Sequence, residues 1–392
     1  MLPTSEQVEF VRAARVAVAP DEVRPATLMI SADGVVLEMD ARVPDGAPVT
    51  PIDVDHVVVP APLDLHVHGA GGVVVAPVGS VAELDQALAD AAAASRWRAI
   101  DRAAPRYDYL ATLPVPGTCS GDPVSWIERG IADAAAAVAE ARTAPTGSSC
   151  VGLRLEGGFL APTRAGVWPP QQLLTPSVAV LERLHAAARD GGTTLRIVDI
   201  APELPGALDV IARAVELGIV VALAHTDATY EEACAAIDAG ATLATHTWNA
   251  MRPLTHRDPG VIAAVLTDPR VTCELICDGV HLHPGTIALT VAAAGTGGWA
   301  VISDASPFAG LPPGTYEWAG TTVRHDGTAL RDAHDRLAGS AALAWAARDT
   351  LASAGVTPLE AALAVGASPR RVLDPTRPVG LVAGDPVWVV PG

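Results

Sequence analysis

Eight short runs of unbroken hydrophobicity recur along this chain, and five of them end on an imidazole or a carboxylate. The runs lie near VVVPAPLDLHVH, YDYLATLPV, GLRLEGG, TTLRIVDIAP, GIVVALAHT, ATLATHTWN, VTCELICDG and WAVISDA, and most are separated by stretches with helical period. Continuous rather than alternating hydrophobicity is the mark of parallel strands buried on both faces. The terminal side chains are His66, His68, Glu156, His225, His246 and Asp304. Residues so dispersed converge only if the strands run parallel and all end on one face, which is the layout of a (β/α)8 TIM-like barrel, an α/β fold whose chemistry sits on that face. The barrel is expected over residues 58–311. Residues 1–57 and 312–392 carry short β-like pieces (ATLMISADGVVLEM, TYEWAGTTVRHDGTALRD, DPVWVV) and predict a small β-sandwich domain built from both chain ends. Within the latter, residues 337–372 read as two helices that pack on the barrel, joined at GVTPLEA, with Thr357 as N-cap before Pro358.

Composition removes several classes of function. All 26 basic residues are Arg, against 44 acids, for a net charge of −18. With no Lys there is no Schiff-base chemistry, no P-loop and no carboxylated-lysine metal bridge. An acidic field of this size repels polyanions, so neither nucleic acid nor an anionic membrane surface is an expected partner, and any anionic substrate must be met by locally placed Arg or His. The five cysteines, Cys119, Cys150, Cys234, Cys273 and Cys277, lie in apolar segments without a CxxC. They read as thiols in a reducing compartment, and no apolar run reaches the roughly 18 residues of a membrane span. A cytoplasmic protein is expected.

Imidazoles and carboxylates together are ligands for a divalent ion. Period-two geometry puts His66 and His68 on one face of their strand. Glu156, before two glycines, is expected to be buried, and a buried carboxylate without a cation costs several kcal/mol; pairing with Arg154 is the competing reading. His225 and His246 end consecutive strands, followed by Thr-Asp and Thr-Trp-Asn, which suit orientation of a ligand. Asp304 is placed to accept a proton from an attacking water, the alternative being a helix N-cap. His56, His185, His325 and His334 read as surface residues.

The segments HVHGAGG, LRLEGGFLAPTRAG, AHTDATYEEACAAIDAGATLATHTWNAM, RDPGVIAAVL, CDGVHLHP, SDASPFAGLPPGTYEWAG and LAGSAALA, in this order, resemble the N-acetylglucosamine-6-phosphate deacetylases of the amidohydrolase superfamily from about residue 50 to 372. The resemblance implies hydrolysis of the acetamide of an amino-sugar phosphate, with one divalent ion (Zn, Fe, Mn or Co) held by Glu156, His225 and His246 and optionally a second by His66 and His68. It makes Asp304 the group that takes a proton from water and returns it to the leaving amine. It assigns the sugar phosphate to Asn249, Ala250, Arg257 and His281, and it implies a homodimer. For Arg257 and His281 the competing readings are a surface Arg capping a loop and a structural His.

This chain is a divergent member of that pattern. It has EGGF where EGPF or EGPY is usual, Trp168 where a His contacts the substrate near its acyl group, and Asp227 where Asn is common. An indole accepts no proton and carries no charge. Trp168 therefore marks a changed substrate-binding position, and two alternatives stay open beside the deacetylase: an amidohydrolase of a different N-acyl or cyclic amide, and a catalytically silent binding protein.

Overall fold

The computed structural model describes residues 8–32, 34–75, 83–88, 107–114, 121–141, 148–318 and 321–391. Its centre is an eight-stranded parallel sheet whose strands follow one another in chain order. They are β1 (Leu63–Val67), β2 (Tyr107–Leu113), β3 (Ser148–Leu155), β4 (Leu195–Ile200), β5 (Val220–Leu223), β6 (Leu243–Ala244), β7 (Thr272–Ile276) and β8 (Trp299–Ile302). These are the eight apolar runs of the sequence. A parallel bridge between Val67 and Ala305 closes the sheet into a barrel. The closure is reinforced where the His68 N–H donates to the Ala305 carbonyl at 2.8 Å and the Ser303 hydroxyl donates to that of His66 at 3.3 Å.

Both faces of the sheet are buried, so the runs are largely apolar, and the polar residues within them, Asp64, Arg154, Asp199 and Glu274, are buried as well. On the outside, helices such as Val178–Asp190 and Ala207–Glu216 turn Leu181, Leu184, Val210 and Ile211 onto the strands. Inside, Leu110, Ile197, Ala222, Leu243, Ile276 and Ile302 come from six different strands and fill the interior. Local signals fix several helix starts. Thr229 and Thr357 each form a reciprocal capping box, with Glu232 and Glu360 respectively.

The two chain ends meet in one six-stranded sheet, in which Val387–Pro391 pairs antiparallel with His56–Pro60 and Val8–Ala19 pairs with Glu22–Ser31. One face of this sheet packs Val57, Val59 and Trp388 on Ala362, Leu363 and Ala367 of the helix Pro358–Leu373. That helix also touches β1 and β8, so it ties sheet to barrel. The segment TYEWAGTTVRHDGTALRD does not join the end-built sheet. It forms a separate three-stranded antiparallel sheet (Gly314–Trp318, Thr321–His325, Leu330–Arg331) whose Trp318, Val323 and Leu330 pack with Leu160 and Trp168 at the barrel mouth. An alternating strand pattern demands one apolar face to cover, and here that face is the loop carrying Trp168. His325 lies on its buried side, against the surface placement read from sequence. Cys119 and most of the Ala-rich stretch 87–100 lie outside the described residues. Among the described residues, no helix is long and apolar enough to cross a membrane.

Gly366 permits the contact between helix and sheet. A Cβ there would sit 2.4 Å from the Pro60 carbonyl oxygen and 3.1 Å from that of Ala61. Gly366→Ala is expected to cost about 1–3 kcal/mol through overpacking, read as a lowered urea midpoint, whereas an unchanged midpoint would mean that the helix shifts freely.

Candidate metal and active site

The C-terminal ends of β1, β3, β5, β6 and β8 deliver the six side chains to one point. Glu156 stands at the centre, 2 % exposed. Its Oε2 lies 3.0 Å from Nε2 of His68 and 3.5 Å from Nε2 of His66, and its Oε1 lies 3.2 Å and 3.1 Å from Nε2 of His225 and His246. Asp304 approaches from above, Oδ1 at 3.4 Å and 3.5 Å from the same nitrogens of His66 and His68. Asp304 is not a helix N-cap, since no helix follows it.

Backbone conformation contributes to this convergence. Among the described residues, seven non-glycine positions have positive φ, and five of them are His225, His246, Trp248, Ala250 and Asp304. Such conformations cost on the order of 1–3 kcal/mol each and persist only where the surroundings impose them. They turn the chain where β5, β6 and β8 end, a feature that strand propensity alone does not reveal.

Every imidazole turns Nε2 inward. The outer Nδ1 of His225 faces the Arg164 carbonyl at 2.7 Å and that of His68 faces the Thr112 carbonyl at 3.2 Å, while those of His66 and His246 are buried without a partner. The Nε2 atoms stand 3.2 Å apart both in His66/His68 and in His225/His246. At that distance one N–H can donate to the other nitrogen's lone pair, but two lone pairs, or two N–H groups, face each other only at a cost. A shared cation removes it, and tetrahedral ligands bonded at about 2.0–2.1 Å stand roughly 3.4 Å apart. The residues therefore fit a divalent ion at Glu156, His225 and His246, and the set His66, His68 and Glu156 fits one equally.

Electrostatics point the same way. Burial opposes the charge of Glu156, but His66 and the hydrogen bonds of His225 and His246 hold its carboxyl well below the usual range. Burial also opposes the imidazolium of His246, yet the neighbouring Glu156 carries it up to about 9, and the same balance raises His68. Burial and the Arg154 charge push His66 well down. Asp304 is raised by burial and by the Glu156 charge.

Arg154 is not paired with Glu156. It lies fully buried beneath the site, donating to Asp199 at 3.0 and 2.8 Å, to Glu274 at 2.8 and 2.9 Å, to the Leu65 carbonyl at 3.0 Å and to Thr245 at 2.9 Å. Its guanidinium thus serves two other carboxylates, leaving Glu156 to the imidazoles. On the opposite flank Asp64 accepts the phenol of Tyr107 at 2.5 Å and the N–H groups of His66 and Ser303 at 3.1 Å, and burial raises its carboxyl to about 6.

A cavity of ≈ 290 Å³ opens above the cluster. Asn249, Ala250, His281 and Trp168 line it, as the sequence reading expects, but Arg257 does not and is exposed. Asn249 is tied to His246, donating from both its N–H and its side-chain amide to that carbonyl at 2.9 and 3.2 Å. His281 is oriented by Asp278, 2.8 Å from its Nδ1, and Asp278 also accepts from the Ser340 hydroxyl at 2.9 Å. Sequence reasoning missed Arg164, Arg336 and Trp318, which also line the cavity. The spacing of Asp278 three residues before His281 was a readable signal; Trp318 offered none.

The amidohydrolase family pattern matches residues 57–336. The chain belongs to the amidohydrolase family. This member is a hydrolase acting on an amide bond. It is 33% identical over 357 residues to an N-acetylgalactosamine-6-phosphate deacetylase from Escherichia coli O157:H7, covering 89% of this chain and 88% of that one. It is 30% identical over 286 residues to an N-acetylglucosamine-6-phosphate deacetylase from Bacillus subtilis, covering 73% and 67%. Among solved structures it resembles N-acetyl-D-glucosamine-6-phosphate deacetylase from Mycobacterium smegmatis, with a TM-score of 0.76, 30% identity, and 97% and 95% of the two chains covered.

Two measurements test the amidohydrolase site. Because His246 carries a proton below about pH 9 in the metal-free protein, Zn²⁺ binding at pH 7 is expected to release about one proton and to tighten as pH rises. Calorimetry in buffers of different ionisation heat reads this, and binding without proton release contradicts the arrangement. Arg154→Met leaves Asp199 and Glu274 buried and unpaired, an expected loss of about 3–5 kcal/mol in chemical denaturation.

Proposed function

We propose that this protein hydrolyses the acetamide of N-acetylglucosamine 6-phosphate to acetate and glucosamine 6-phosphate. One observation carries the reading: the Glu156-centred ring of four imidazoles, with the Asp304 carboxylate facing it across the floor of a cavity. In this reading Glu156, His225 and His246 hold one divalent ion, and His66 and His68, sharing Glu156, form a second position. Zn, Fe, Mn and Co all suit these donors. The ion supplies Lewis acidity at the acyl oxygen and lowers the pKa of water.

The chain's own groups do the rest. Asp304, whose proton affinity is raised by burial and by the Glu156 charge, takes a proton from the attacking water as the oxygen adds to the acyl carbon. It returns the proton to the amine nitrogen as the C–N bond breaks. Asn249 and Ala250 hold the sugar ring. His281, with Asp278 behind it, meets the phosphate, which the net charge of −18 would otherwise repel. Arg257, exposed and off this chain's cavity wall, is assigned in this reading to the phosphate site of a second copy in a homodimer. A cytoplasmic location agrees with the cysteine usage.

A second substrate is favoured by one observation. The relative from Escherichia coli O157:H7, which aligns with 89% of this chain, is named for the C4 epimer, N-acetylgalactosamine 6-phosphate. The experiment is acetate release by metal-reconstituted protein from both epimers and from the unphosphorylated sugars. Turnover is expected to require the phosphate and to fall about 100-fold or more in Asp304→Asn, with metal content retained. A protein that holds metal yet releases no acetate from either epimer would overturn the reading.

A further inference from the structure

The two oxygens of Glu156 divide the site into unlike halves. On the Oε1 side, His246 is followed by Asn249, which donates to the His246 carbonyl, and by Ala250, which lines the cavity beside it. On the Oε2 side, His68 is flanked edge-on by two indoles, Trp168 at 5.7 Å and Trp318 at 5.5 Å between ring centroids. The indoles meet each other at 5.6 Å and 74°. Trp168 is 4 % exposed and Trp318 is 7 % exposed, yet both line the cavity. Phe308 backs Trp318 at 6.4 Å and stacks on Tyr316 at 4.7 Å. The wall is therefore braced from behind. The two indoles come from separate parts of the fold, the loop after β3 and the three-stranded sheet Gly314–Arg331, which are clamped together by an Arg336 hydrogen bond to the Gly166 carbonyl.

We infer that Trp168 and Trp318 form the acyl pocket of this enzyme and restrict it to a short, apolar acyl group. The inference rests on the deacetylase reading above. A substrate whose sugar ring lies on the Asn249 and Ala250 side and whose amide carbon lies within reach of Asp304 points its acyl substituent across Glu156, towards the indoles. Their faces are apolar and their only polar group is a donor, so a methyl group is accommodated. A hydroxyl there would have its own proton unpaired. A longer alkyl chain meets ring edges that Phe308 and Tyr316 prevent from retreating.

The experiment compares kcat/KM for the N-acetyl, N-glycolyl and N-butanoyl forms of both hexosamine 6-phosphates, using metal-loaded wild type, Trp318→Leu and Trp318→Ala. Wild type is expected to favour acetyl over each of the other two by roughly tenfold or more, the discrimination an apolar pocket achieves for a small change in an acyl group. Both variants are expected to raise the butanoyl-to-acetyl ratio by roughly tenfold. Calorimetric binding of the same ligands to Asp304→Asn and to its double variants with Trp318→Leu should follow that order without turnover. Thermal melting establishes that at least the conservative Trp318→Leu is folded. Acetate release by wild type with an acyl ratio unchanged in a folded variant overturns the pocket assignment alone. No release from either epimer by wild type overturns the deacetylase reading and the pocket together.

Discussion

A carboxylate removed from water and encircled by four imidazole nitrogens is the constraint on which this protein is organised. Glu156 has no guanidinium beside it; the nearest one, Arg154, is committed to Asp199 and Glu274. Its charge is balanced only by the protons on the surrounding imidazoles or by a cation that displaces them. The barrel beneath is built to hold that arrangement. Arg154 braces four strands from inside through Asp199, Thr245, Glu274 and the Leu65 carbonyl. Asp64 fastens the first strand to the last.

Rigidity at the strand ends has a price in backbone strain, concentrated at His225, His246, Trp248, Ala250 and Asp304. The site is consequently specified by which residues terminate the strands and, for His225, His246 and Asp304, also by a left-handed backbone at that position. The loops that follow inherit the precision of this frame, so Asn249 is fixed through the His246 carbonyl and His281 through Asp278.

Much of this was legible in the sequence, and for a definite reason. Parallel strands buried on both faces leave unbroken apolar runs, and a polar residue at the end of such a run has few explanations other than chemistry. The eight runs and the convergence of His66, His68, Glu156, His225, His246 and Asp304 followed from that pattern. What failed to show were contacts whose partners lie far apart and have no periodic signature. Arg154 could be placed on the inner face but not matched to Asp199 and Glu274. Trp318 sat in a strand assigned to the end-built sheet, because an alternating pattern states that one face is covered without stating by what. Arg257 was matched by motif, yet its exposure depends on how a loop leaves the barrel.

The seam of the barrel also dictates the order in which the site comes into being. His68 is held by the carbonyl of Ala305, and Asp64 by the amide of Ser303, contacts that span most of the chain. Loops of that length close late, after local helix–strand units have formed. On a ribosome the first two imidazoles emerge long before the aspartate that completes their environment. The active centre is thus a product of topology, and a chain truncated before residue 303 holds all five imidazole and carboxylate ligands but has no closed barrel to aim them.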